Sequence, residues 1–475
     1  MSLASDQRFF GITVLADFIL NEGVDGVLDN LTERAGVTAV ALNPTVTAES
    51  EEGKGSFQPP TDAGSSPRLF DRPLWGKRSL WVRSGPSYCP DESLYSDTPY
   101  RPRQPNDLTK HYGDLIGDFI DAALERGLKV YFQLSGTAPP GLRDEDRPLL
   151  PDGRPPANRM ADTASLASDA VRSYITAHVH DLLAKYPRIT GFRPDWPEYP
   201  CYKLDEAFQD FSPAVQAWAE RNREFDFDSI RRDVGAFYRY LHGGLTNADL
   251  ETFIDADPGE LTELALVRDF PHFRRWLQLK SALSVDLLQH WRRALTEWGG
   301  EELELSANAF MPPFSLFTGF DFAAAASCCS AASPKLYTMH WTVIVEFWGR
   351  ILLDRNPGLN EGLLVKALAH LFDLGDRTDG TESLADYHYP EPDEPHPVSA
   401  ASQSRKIDLA LTQAGAGMAI TPIVHGYGPP DDFLRRFRIV AESRAHGIWI
   451  NRYGYLSDEK LEGVGEIWRS SRTDG

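Results

Sequence analysis

Eight short runs of apolar, β-forming residues recur along the chain, each followed by a longer helical or irregular stretch. They are Gly11–Asp17, Val37–Asn43, Lys129–Ser135, Ile189–Asp195, Glu302–Asn308, Lys335–Trp341, Met418–His425 and Gly447–Arg452. Strands that alternate with helices pair in parallel, and eight of them favour a closed barrel over an open sheet. The expected fold is therefore an α/β (β/α)8 TIM barrel occupying residues 1–475 as one domain. Its 475 residues suit a barrel with insertions. Two interruptions stand out. Residues 44–107, rich in Pro, Gly, Ser and aromatics, read as an ordered insertion covering the barrel mouth. Residues 200–300 read as a helical excursion, and Ser457–Trp468 as a closing helix.

Composition narrows the partners. A net charge of −21 argues against a nucleic-acid groove and against attachment to anionic lipid. No run approaches 18 apolar residues, so no membrane helix is expected. The first apolar run lacks the flanks of a signal peptide. Four irregularly spaced cysteines suggest reduced thiols and a cytoplasmic protein. Cys328 and Cys329 lie in an Ala/Ser run, Ala323–Ala332, that reads as a close-packed helix with both thiols buried. No phosphate-binding, dinucleotide, serine-hydrolase or zinc motif is present, and no cofactor is expected. The proline-rich acidic loop Asp386–Pro397 contains His388, Glu391, Asp393, Glu394 and His396, without a zinc or calcium spacing. It reads as a lid or rim element rather than a metal site.

In such barrels chemistry gathers where the strands end. The polar residues there are Asp17, Asn43, Gln133, Arg193, Asn308, His340, His425 and Asn451, with Trp196, Tyr199, Trp341 and Tyr427 as stacking surfaces. This set of hydrogen-bonding and aromatic groups suits a polyhydroxylated ligand better than a phosphate. The sharpest segment is Arg193–Tyr199 (RPDWPEY), at the end of the fourth run. Two prolines and two aromatics stiffen it, and they could desolvate Glu198 enough to raise its pKa, as a general acid requires. Asp195, three residues earlier, could orient Glu198 or act as a second carboxylate; equally, both could bind backbone amides in a structured turn. Asp17 could instead cap a helix.

With DWPEY at the fourth strand end, PHFRRWLQLK ending at Lys280 and IWINRYGYLS ending at Ser457, the chain resembles glycoside-hydrolase-like (β/α)8 barrels. The nearest groups are poorly characterised glycosyl hydrolases and bacterial β-galactosidase-like barrels. The resemblance implies an acid/base role for Glu198. It also implies a nucleophilic Glu at the end of strand seven, where this chain has IVHGY and no carboxylate. The leading expectation is a glycosidase acting on a small saccharide or glycoside, with Glu198 and Asp195 catalytic. Asp17, Asp321 or the 386–394 loop would supply any further carboxylate. The alternatives are a sugar isomerase, epimerase or lyase using His340 or His425, and a non-catalytic carbohydrate-binding barrel.

Overall fold

The computed structural model describes residues 8–61, 63, 68–255, 268–376 and 382–471. The first seven residues, five positions of the 44–107 insertion (62 and 64–67) and residues 256–267 of the helical excursion lie outside the described residues. Eight strands form the barrel: β1 (Phe9–Thr13), β2 (Ala39–Leu42), β3 (Lys129–Ser135), β4 (Gly191–Asp195), β5 (Glu304–Ala309), β6 (Ala331–Leu336), β7 (Ile423–His425) and β8 (Gly447–Asn451). All neighbours are parallel. β8 pairs with β1 and β5 with β6, so no barrel edge is left open.

Residues alternate between the barrel's interior and its helical coat. Phe192 of β4 faces outward and packs against Phe132 and Trp291. Phe10 of β1 does the same against Phe437 and Trp468. The helical excursion supplies the long helix Phe273–Gly299, bound to the helix Asp169–Lys185 by Arg172 and Asp286 at 2.6 Å. Among the described residues no helix is long and apolar enough to cross a membrane.

The sixth run departs from expectation. β6 is Ala331–Leu336, and Thr338–Arg355 is a helix. The aromatic and β-branched stretch Tyr337–Val345 has strand propensity, yet Thr338 through Val345 are all buried. The first turns of this helix are buried on every side, so they show no apolar stripe at helical spacing to read. The Ala/Ser run instead supplies the strand, because small residues fit between β5 and β7. Cys328 and Cys329 are buried, but in the turn ahead of β6 rather than within a long helix. The seventh run is also split: Ala419–Ile420 pairs with the start of β6, and Ile423–His425 with its end. Pro422, which lacks a ladder donor, stands between the two pieces.

The insertion after β2 contains a small antiparallel sheet of Thr45–Glu49, Leu80–Pro86 and Ser56–Gln58. Its connecting segment touches loops that follow β1 and β8. Phe70 packs on Phe18 and Tyr455, Trp75 donates its amide to Asn21, and Asp71 and Arg72 donate theirs to the Gly454 carbonyl.

Candidate active site

The barrel interior is built in layers. At the bottom the Glu304 carboxylate accepts from Tyr131 and from Lys129, both at 2.6 Å. Above it lies the Trp449 ring, with the Arg193 guanidinium stacked 3.6 Å from its centroid. Gly11 opposes Trp449 in the ladder, and a Cβ there would sit 2.4 Å from the indole, so only glycine leaves the ring its place. Arg193 donates to Ser306 at 3.1 Å and to the Asn308 Oδ1 at 2.7 Å. Burial pulls its guanidinium down to about 9, which still leaves a cation at neutral pH.

At the end of β4, Asp195 stands one layer above Arg193, opposite Asn308 of β5 and Ser135 of β3. Its side chain is 27% exposed, whereas Lys335 of β6, 2.5 Å from its Oδ1, is 3% exposed. The Lys335 ammonium also lies 4.4 Å from the Trp196 ring centroid. Trp196 holds a left-handed backbone, φ +54°, which costs a bulky residue about 1–3 kcal/mol. Its amide donates to the Asn308 carbonyl at 3.2 Å.

Glu198 closes the same turn but is wholly buried. One carboxyl oxygen accepts from the Phe310 amide at 2.6 Å and the other from the Thr318 hydroxyl. Glu198 therefore ties the β4 turn to the loop after β5. Burial pushes its carboxyl up to about 7, against the pull of Thr318, Lys335 and the Phe310 amide. Protonation of this kind is what a general acid needs, but the carboxylate with access to the mouth is Asp195.

Around them runs a cluster of histidine and tyrosine rings. The Tyr202 hydroxyl lies 3.2 Å from His340 Nδ1, and Tyr337 packs edge-on against both His340 and His425. His425 Nδ1 accepts the Tyr427 amide at 3.1 Å, so its neutral form carries the proton on Nε2. Tyr389 and His396 of the 386–397 loop pack on Tyr427, whose hydroxyl donates to the Pro390 carbonyl at 3.0 Å. In the same loop His388 pairs with Glu394 at 3.1 Å.

The structure thus brings together Arg193, Asp195, Trp196, Asn308, His340, His425 and Tyr427. Gln133 lies opposite Arg193, and Asn451 lies opposite His425 and accepts from Thr13 at 2.8 Å. Others fall elsewhere. Tyr199 points into the protein and its hydroxyl donates to Asp210 at 3.0 Å, so it is a strut and not a substrate platform. Trp341, one turn into a helix instead of at a strand end, is buried with Lys406 Nζ 5.1 Å from its ring. Asp321 caps the helix Phe322–Ala325 and is taken up by that turn. Asp17 is buried in the first turn of the helix Ala16–Glu22, and burial raises its pKa. Asn43 is exposed and lines a cavity of about 350 Å³ with Ser135, Thr137, Tyr174 and Trp291, and Asp195 is not among its lining residues. Strand propensity puts the sixth strand four residues later than the structure does, so Lys335 stands at its expected start instead of near its end. The run Ser-Pro-Lys, with a lone charge closing an otherwise apolar or small segment, is the signal that marks it.

The sequence matches no family model, and a comparison with curated proteins gives no match. The chain is similar to solved structures of glycoside hydrolases. One is a β-galactosidase from the psychrophilic Marinomonas ef1, 13% identical with a TM-score of 0.49, covering 98% of this chain and 59% of that one. A catalytic mutant of a β-galactosidase from G. stearothermophilus is 11% identical with a TM-score of 0.44, covering 99% of this chain and 57% of that one. A class V chitinase from Pseudomonas fluorescens Pf-5 is 8% identical with a TM-score of 0.42, covering 98% and 100%. The chain spans a little under three fifths of the two β-galactosidases. At these identities and TM-scores the likeness assigns neither an activity nor a substrate.

Proposed function

We propose that this barrel is a glycoside hydrolase acting on a small saccharide or glycoside, with Asp195 as the carboxylate that meets the substrate. The observation that supports it is a partly exposed carboxylate at a strand end, paired with a buried lysine and flanked by Trp196. Aromatic rings stack on the apolar faces of sugars, and an anionic oxygen beside the sugar ring can stabilise or attack an oxocarbenium-like centre. His340 and His425, on either side of Tyr337, are the neighbouring groups able to hand a proton to the departing oxygen. Glu198 acts as a positioning residue that holds the turn carrying Asp195 and Trp196. In this reading the insertion at 44–107 forms part of the cover over the mouth, through Phe70 and Trp75.

The test is a panel of aryl glycosides and unactivated disaccharides assayed with the wild-type chain and with Asp195→Asn. Turnover of at least one glycoside is expected. The substitution should reduce it by about 10²–10⁴-fold, the usual worth of an acid or base, while saccharide binding persists. Saccharide binding with no turnover anywhere in the panel would overturn hydrolysis in favour of a binding barrel.

A further inference from the structure

Four lysines of the described residues are buried: Lys280, Lys335, Lys406 and Lys460. Three of them do one job. Lys280 donates to the carbonyls of Ala207 and Phe317, Lys406 to those of Phe372 and Asp373, and Lys460 to those of Gly426, Gly428 and Tyr455. Lys335 differs. It donates to no carbonyl, and its ammonium meets one carboxylate, that of Asp195, and the faces of Trp196 and Phe310. A buried ammonium that is not used to hold backbone is costly unless its charge serves a partner.

We propose that Lys335 is the positioning residue of this site, fixing the Asp195 carboxylate in the orientation in which it meets the substrate. The geometry is suited to that. Asp195 is the more exposed partner and Lys335 the sealed one, so the lysine reaches the mouth only through the carboxylate. The Trp196 ring beneath the ammonium restricts where it can go and adds a cation–π attraction. Among the described residues, the other charged or titratable groups around Asp195 are Arg193, Glu198 and, beyond Trp196 and Tyr202, His340, with His425 across Tyr337. Arg193 lies one layer below on β4 and is committed to Ser306 and Asn308, and Glu198 lies in the same turn. The neighbouring strands β3 and β5 present Ser135 and Asn308 opposite it, neither of them charged. Lys335 is thus the cation in direct contact. Its field also reaches Glu198, the second carboxyl of the turn.

This inference rests on Asp195 being the reacting carboxylate, and its test separates the two ideas. The Asp195 carboxyl is followed by ¹³C NMR at fixed neutral pH, in wild type, Lys335→Met and Lys335→Arg, with Asp195→Asn identifying the signal. The signal is expected to move in Lys335→Met, as loss of the adjacent ammonium requires, and to return toward the wild-type position in Lys335→Arg. In the same variants kcat should fall by about 10²-fold in Lys335→Met with little change in KM. An Asp195 carboxyl signal at the same position in wild type and Lys335→Met would overturn the proposal. Should Lys335→Met fail to fold, Asp195→Asn in an otherwise intact chain reads the pair from its other side. The Lys335 ammonium ¹⁵N resonance must then shift, and an unchanged resonance overturns the pairing. A wild-type chain that hydrolyses nothing overturns the hydrolase reading, while the carboxyl signal still decides the role of Lys335.

Discussion

Lys460 shows how a single side chain can organise a barrel mouth. Its ammonium satisfies the carbonyls of Gly426, Gly428 and Tyr455 and pairs with Asp71 of the insertion. It therefore joins the loops after β7 and β8 to the segment that crosses them. Arg436 supports the same loop, donating to the carbonyls of His425 and Tyr427. Lys460→Met would leave these acceptors unpaired, and stability measured by urea unfolding should fall by about 3–5 kcal/mol. A loss under about 1 kcal/mol would show that water replaces the lysine. Glu198 offers a second prediction at this scale. Its carboxyl titrates about 7 when folded and 4.5 when unfolded, so the folded state binds the extra proton between those values. The corresponding stability is full below pH 4.5 and lost as pH rises to about 7, a total of about 3 kcal/mol. Glu198→Gln should remove that slope, visible as the difference between the two unfolding curves across pH 4–8. A wild-type slope that persists in the variant would mean that other buried carboxyls, such as Asp17 or Asp210, carry it. Of the two carboxylates in the turn, the sequence located both but not their division of labour. Spacing tells that Asp195 and Glu198 share a loop; only the packing of Phe310 and Thr318 tells which one is sealed.

Elements were legible where their pattern followed a period. β1, β3, β4 and β8 carry branched or aromatic residues bounded by turns and fall within a few residues of expectation. Gly36 ends the helical segment before β2 in a left-handed conformation, φ +74°, which suits a glycine. β6 was hidden because its residues, AASPKL, have low strand propensity, while the buried helix behind it has high strand propensity. Both are settled by tertiary packing, which local sequence does not report. That displacement moved Lys335 out of the expected site and placed Trp341 wrongly in it. The barrel's inner layer is testable at its tightest point. Gly11→Ala would drive a methyl into Trp449, and the ring can yield only by leaving Arg193. The expected cost is about 1–3 kcal/mol in chemical denaturation. Loss of activity beyond that accounted for by unfolding would show that the Trp449–Arg193–Asn308 stack also sets the position of Asp195.

For the whole molecule, the strand count and the parallel order sufficed to name the barrel, since eight alternating units have few ways to bury both faces of their strands. The function was less accessible. A site at the strand ends is assembled from loops far apart in sequence, and the Tyr202–His340 and Lys335–Asp195 contacts join residues more than 130 positions apart. The central claim is that the saccharide reacts at Asp195, with Glu198 behind it as support. The most direct measurement is kcat/KM of Asp195→Asn and Glu198→Gln, each on an activated aryl glycoside and on an unactivated disaccharide. Asp195→Asn should lose about 10² or more on both substrates. Glu198→Gln should lose a smaller factor, equal on both, because a support does not distinguish leaving groups. The contrary result would be near wild-type rates in Asp195→Asn, with Glu198→Gln failing selectively on the unactivated disaccharide.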